Sequence, residues 1–99
     1  MSLVKCCWRV SGRVQGVFFR KYTKLRADQL GLSGWCQNTA DGLSVEGEIF
    51  GPELKVREML HWIEFEGSPH SHPQTLVILS WSTDNQTELS GLAEFFIKH

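Results

Sequence analysis

The sequence predicts an α+β sandwich, β-α-β-β-α-β with an extra short strand at its C-terminal end, in which two helices cover one face of an antiparallel sheet. Three observations lead there. Apolar residues alternate with period two in several short segments, the period becomes helical in two others, and the two patterns follow one another as in a split β-α-β arrangement. With 99 residues, 41% of them hydrophobic and 11% aromatic, the chain has material for one two-layer core and one cleft. A single domain over residues 1–99 is expected.

Residues 4–10 read as the first strand, with Val4, Cys6, Trp8 and Val10 on one face and Lys5, Cys7 and Arg9 on the other. The loop 11–16 carries Gly12 and Gly16. A helix follows from about Phe18, with Phe19, Tyr22, Ala27 and Leu30 as its apolar stripe and Gly31 suited to the C′ position. Ser33 to Thr39 reads as the second strand. Ala40-Asp41-Gly42 turns it into a third, on which Leu43, Val45, Gly47 and Ile49 share a face opposite Ser44, Glu46 and Glu48. Gly51-Pro52-Glu53 opens the second helix, with Pro52 suited to N1 and Val56, Met59, Leu60 and Ile63 buried; it ends near Gly67-Ser68-Pro69. Thr75 to Trp81 is the fourth strand, Thr83 to Ser90 a polar connection, and Leu92 to Ile97 a short closing strand. Helices on one side of such a sheet make the ferredoxin-like fold, which hosts many unrelated functions.

Ten basic and eleven acidic residues leave a net charge of −1, so no nucleic-acid-binding surface is expected. Cys6, Cys7 and Cys36 are odd in number and irregularly spaced, which fits free thiols in a reducing compartment. No leader-like segment or membrane-length apolar run is visible, so a cytoplasmic protein without a membrane partner is expected. His70 and His72 flank Ser71 in a proline-bounded loop, but no third ligand stands at a useful spacing, and no metal is expected. Trp8, Trp35, Trp62 and Trp81 read as packing residues.

The most informative stretch is Gly12-Arg13-Val14-Gln15-Gly16-Val17-Phe18-Phe19-Arg20, between a strand and a helix. Its glycines permit backbone geometries that gather N–H groups into one concavity, and the helix start points its unpaired N–H groups to the same place. Arg20 falls in the first helical turn, where its side chain leans back over the loop and offers a planar donor fork to two phosphate oxygens. A plain glycine-rich turn followed by a solvated arginine fits the same stretch equally well. The loop lacks the Lys-Ser or Lys-Thr pair of a Walker A motif, and residues 13–19 include no Cys, Ser, Asp or His nucleophile. Phosphorus chemistry here would use water directly.

This stretch, with Gly34-Trp35-Cys36-Gln37-Asn38-Thr39, Asp41-Gly42, Val45-Glu46-Gly47, Gly51-Pro52 and Gly67-Ser68-Pro69, resembles the acylphosphatase family over nearly the whole chain. The resemblance implies hydrolysis of an acyl phosphate, either a small molecule or a phosphoaspartyl group, to carboxylate and inorganic phosphate. It places the catalytic residues at Arg20 and Asn38, and the phosphate-binding backbone N–H groups at Arg13, Val14, Gln15, Gly16, Val17, Phe18 and Phe19. No cofactor is implied, phosphate is expected to inhibit as a product, and a monomer is expected. The chain departs from the family at His70-Ser71-His72-Pro73 and at the closing Lys98-His99.

A carboxylate leaving group, with a conjugate-acid pKa of about 4, departs without help from a general acid. Positioning and charge stabilisation are then the main demands, and a carboxamide can orient the attacking water. For Asn38 the other reading is an Asx-type cap on the hairpin. The alternative functions are an RNA-binding module and an anion sensor without catalysis. The third strand, Ser44-Val45-Glu46-Gly47-Glu48, is acidic and lacks the paired aromatics of RNA-binding sheets.

Overall fold

In the computed structural model, which describes residues 2–84 and 94–99, the first alternating segment becomes strand β1 (Leu3–Arg13). Val4, Cys6, Trp8 and Val10 are buried completely along one face. On the opposite face Lys5 and Arg9 reach Glu48 and Glu46 of the neighbouring strand at 3.6 and 3.2 Å. The other elements are α1 (Phe19–Leu30), β2 (Ser33–Asn38), β3 (Ser44–Pro52), α2 (Glu53–Phe65), β4 (His72–Asp84) and β5 (Phe95–Ile97). Strand order in the sheet is β4-β1-β3-β2-β5.

The first four strands pair antiparallel, whereas β5 lies parallel to β2, so the added strand makes the sheet mixed. Its place on the outer edge of β2 brings the last residues of the chain beside the start of α1. Both helices lie on one face. Phe19 and Ala27 of α1, and Val56, Met59, Leu60, Trp62 and Ile63 of α2, join the same buried cluster as the inward β1 residues. Phe19 and Trp62 meet with ring centroids 5.9 Å apart. Gly31 ends α1 in the left-handed conformation (φ 70°), which lets the N–H of Leu32 close on the Ala27 carbonyl at 2.9 Å. Thr23, outside the expected stripe, is buried because its hydroxyl donates to the Phe19 carbonyl at 2.7 Å.

Several local expectations change. Leu43 is 63% exposed, because its N–H is held by the Asp41 carboxylate in the turn and β3 begins one residue later. Ser44, assigned by alternation to the polar face, is buried and shares a 2.8 Å hydrogen bond with Ser11. Pro52 is the N-cap of α2 and not N1: its ψ of 139° is extended, and it still pairs with Leu3 across the sheet. β4 also starts before Thr75, with His72 and Pro73 opposite Arg13 and Gly12. Of the expected connection 83–90 and closing strand 92–97, residues 85–93 lie outside the described residues.

Candidate active site

The chain leaves β1 at Arg13, which pairs with His72, and the Val14 N–H closes on the Gly12 carbonyl at 3.0 Å. The next residues differ. Among the described residues, no backbone carbonyl takes the N–H of Gln15 to Arg20, and the first bond into α1 runs from the Tyr22 N–H to the Phe18 carbonyl at 3.1 Å. Gly16 (φ 74°) and Phe18 (φ 60°) are both left-handed, a backbone pattern found in anion-binding nests. A Cβ on Gly16 would meet nothing within 4 Å, so the backbone conformation, and not lack of space, is what calls for glycine there. The free donors therefore begin at Gln15; Arg13 and Val14 sit on the strand side of the turn.

Two side chains hold this loop. Gln15 Nε2 donates to the carbonyls of Thr39 at 3.0 Å and Ser44 at 2.7 Å, tying the loop to both arms of the β2–β3 hairpin. From the other side the buried Ser68 hydroxyl donates to the Val17 carbonyl at 2.7 Å, while Ser71 Oγ holds the Ser68 carbonyl at 2.8 Å. Sequence reasoning misses both roles, because it assigns Gln15 only a backbone donor and Ser68 only a place at a helix end.

Arg20, in the first turn of α1, and Asn38, the last residue of β2, border the same cavity of about 340 Å³, together with Val14, Gly16, Phe18 and Phe19 of the loop. They also border a wider, more polar groove of about 1100 Å³ that continues past Thr39 and Asp41 to Arg9, Gln37 and Glu46 on the three central strands. Arg20 Nη1 lies 3.5 Å from both the Lys98 carbonyl and His99 Nδ1, which β5 delivers to the site. His99 lines both spaces and is not among the expected site residues.

Asn38 Oδ1 is buried and has no hydrogen-bond partner among the described residues. A buried unsatisfied acceptor costs free energy and calls for an explanation. The hairpin does not use it: the Asx-type role falls to Asp41, whose carboxylate accepts from the Thr39 hydroxyl at 2.6 Å and the Leu43 N–H at 3.0 Å. These bonds, the Thr39 hydroxyl first, hold the Asp41 carboxyl below its ordinary pKa.

Cys36 lies under the site with Sγ 4.0 Å from the Arg20 carbonyl. Burial pushes its thiol up to about 12, with Arg20 opposing the shift, so it is protonated at neutral pH and unsuited to act as a nucleophile. All three cysteines are free thiols. His70 and His72 are exposed and border neither space. Among the described residues no group of three or more His, Cys, Asp or Glu side chains is placed to hold a metal ion, and no helix is long and apolar enough to cross a membrane.

Residues 6–95 match the model of the Acylphosphatase family. The chain is 52% identical over 71 residues to Acylphosphatase-1 of Mus musculus, covering 72% of this chain and 71% of that protein. It is 47% identical over 92 residues to Acylphosphatase-2 of Homo sapiens, covering 93% and 92%. The crystal structure of acylphosphatase from Bacillus subtilis superposes with a TM-score of 0.81 at 32% identity, over 97% of this chain and 99% of that one. A glycine-containing loop with free N–H donors, an arginine at the following helix start and an unpartnered asparagine across the cavity thus occur in a chain that belongs to the acylphosphatase family.

Proposed function

We propose that this protein hydrolyses the carboxyl–phosphate bond of acyl phosphates by direct attack of water, with Arg20 and Asn38 as catalytic residues. Family membership over residues 6–95 supports the reaction class and favours it over an RNA-binding or non-catalytic sensing module. The observation that carries the site assignment is that Arg20 and Asn38 border one cavity with the loop whose N–H groups, Gln15 to Phe19, are free of backbone partners among the described residues.

The phosphoryl group rests on the N–H groups of the loop, Gln15 to Phe19 supplying the free donors, while the Arg20 guanidinium binds two of its oxygens. The Asn38 carboxamide, which borders the cavity, hydrogen-bonds the attacking water and aims its oxygen at phosphorus. As the new P–O bond forms, the bond to the acyl oxygen breaks and its electron pair leaves on the carboxylate. The water's proton passes to a phosphoryl oxygen, so the products are carboxylate and inorganic phosphate. The leaving carboxylate needs no protonation, because its conjugate acid has a pKa of about 4. Catalysis then consists of positioning and stabilisation of charge on the equatorial oxygens.

In this reading the substrate is a small acyl phosphate or a phosphoaspartyl group, phosphate inhibits as product, and neither cofactor nor nucleic acid takes part. The protein acts as a monomer in this reading. Its free thiols fit the reducing cytoplasm. Asn38→Ala is the test. Losing a neutral side chain removes little attraction for a dianion, whereas orientation of water is realised on the way to the transition state. The expected result is a steep fall in kcat with nearly unchanged phosphate affinity; retained kcat with a raised KM would move water positioning elsewhere.

A further inference from the structure

Phe18 is costly to keep where it is. It is the one non-glycine residue with positive φ among the described residues, at φ 60° and ψ 24°. A bulky side chain is rare in that conformation, which glycine adopts without strain. Its ring is 71% exposed and does not join the buried core, so packing does not offset the strain. Lys21 Nζ, 6.0 Å from the ring centroid, is its cationic neighbour.

Phe18 instead borders the cavity shared by Arg20 and Asn38. That cavity has two characters. One part holds the Arg20 guanidinium, the Asn38 carboxamide and the loop N–H groups, which suit a phosphoryl dianion. The same cavity is also lined by the side chains of Phe18, Val14, Phe19 and Ile97, an apolar wall beside Lys21 and His99. An acyl phosphate has the same two characters, a charged phosphoryl end and an acyl group that departs roughly in line with the attacking water.

We infer that Phe18 is a specificity-determining residue that reads the acyl half of the substrate, favouring aromatic acyl groups over small ones. The inference rests on the acyl phosphate reading of the site. Strain kept at a functional position is its physical signature: the left-handed backbone sets the ring at the cavity mouth, where it stacks on an aroyl group without occupying the phosphoryl end.

The test compares kcat/KM for benzoyl phosphate and for acetyl phosphate in the native protein, Phe18→Gly and Phe18→Tyr. Glycine suits the left-handed backbone, so folding is retained, and any change in the phosphate loop affects both substrates alike and cancels in their ratio. The benzoyl-to-acetyl ratio should fall by about 2- to 10-fold in Phe18→Gly, the range expected for one aromatic contact, mainly through the KM for benzoyl phosphate. Phe18→Tyr should restore it. An unchanged ratio in an active Phe18→Gly protein overturns the inference alone. Failure of the native protein to hydrolyse either substrate overturns the proposed function, and this inference with it.

Discussion

Replacing Gln15 by leucine tests whether the phosphate loop and the asparagine-bearing hairpin must be held in register. The native side chain makes two neutral hydrogen bonds, 3.0 Å to the Thr39 carbonyl and 2.7 Å to the Ser44 carbonyl. Neither acceptor is orphaned by its loss. The Gly42 N–H still reaches the Thr39 carbonyl at 3.2 Å, and the Thr39 N–H still reaches the Ser44 carbonyl at 3.0 Å. The stability cost is therefore the net value of two partly exposed bonds without a desolvation penalty, about 1 kcal/mol and at most about 3. For a domain of this size 1 kcal/mol corresponds to a fall in Tm of roughly 4–8 °C. Activity should suffer far more, because Asn38 and the loop would no longer share a fixed frame. A misplacement of about 1 Å costs on the order of 100-fold. Thermal unfolding and steady-state hydrolysis of benzoyl phosphate measure the two effects separately. If Tm falls as calculated while kcat stays within about twofold of native, the Gln15 clamp supports the fold without positioning the site, and the reasoning is wrong.

Arg20→Lys keeps the charge but removes the planar fork, and loss of charge-assisted bonds worth about 1.5–3 kcal/mol should lower kcat/KM by roughly 10- to 150-fold. Near-native turnover in a folded variant would sink the assignment of Arg20. Phosphate titrated into the protein should shift the backbone amides of residues 15–20 before any others and compete with substrate; shifts centred on His70 and His72 would place the anion elsewhere. Cys36, held as a thiol up to about pH 12 by burial, should resist alkylation at pH 8 while the half-buried Cys7 reacts, which mass spectrometry of peptides can read. Because the folded pKa of Cys36 is raised, its contribution to stability is full below the ordinary thiol range and is lost as pH rises toward 12. Mutation to serine should flatten that alkaline loss in urea titrations, and an unchanged profile would show that titration of the buried Cys36 thiol is not its cause.

The order of elements was legible in the sequence because each depends on neighbours a few residues away. Alternation of Val4, Cys6, Trp8 and Val10, the helical stripe through Val56, Met59, Leu60 and Ile63, and Gly31 as a helix stop are local patterns, and burial follows them closely. Arg20 was legible as a candidate for a similar reason, since a turn with two glycines and a helix start fix roughly where its side chain can point, whereas Asn38 was named by the family resemblance and on its own reads as an Asx-type cap. Where alternation failed, a competing hydrogen bond was responsible, local in one case and cross-strand in the other. Alternation put Leu43 inside and Ser44 outside, but the Asp41 carboxylate draws the Leu43 N–H into the turn, and Ser11 gives the Ser44 hydroxyl a partner in the sheet.

Other features came only from tertiary structure. The Gln15 carboxamide reaches carbonyls 24 and 29 residues away, Ser68 reaches Val17 across 51 residues, and Arg20 meets His99 across 79. Such bonds leave no period in the chain, since one glutamine or serine among many reads as an ordinary polar residue until the fold brings its partner within hydrogen-bonding reach. The direction of β5 is of the same kind. Nothing in Phe95–Ile97 distinguishes a parallel neighbour of β2 from an antiparallel one, yet that pairing sets Lys98 and His99 against Arg20. Local residue chemistry pointed to the loop and Arg20, and the family resemblance to Asn38; long-range hydrogen bonding and strand pairing decided how they are held, because those interactions exist only between segments the folded chain has already brought together.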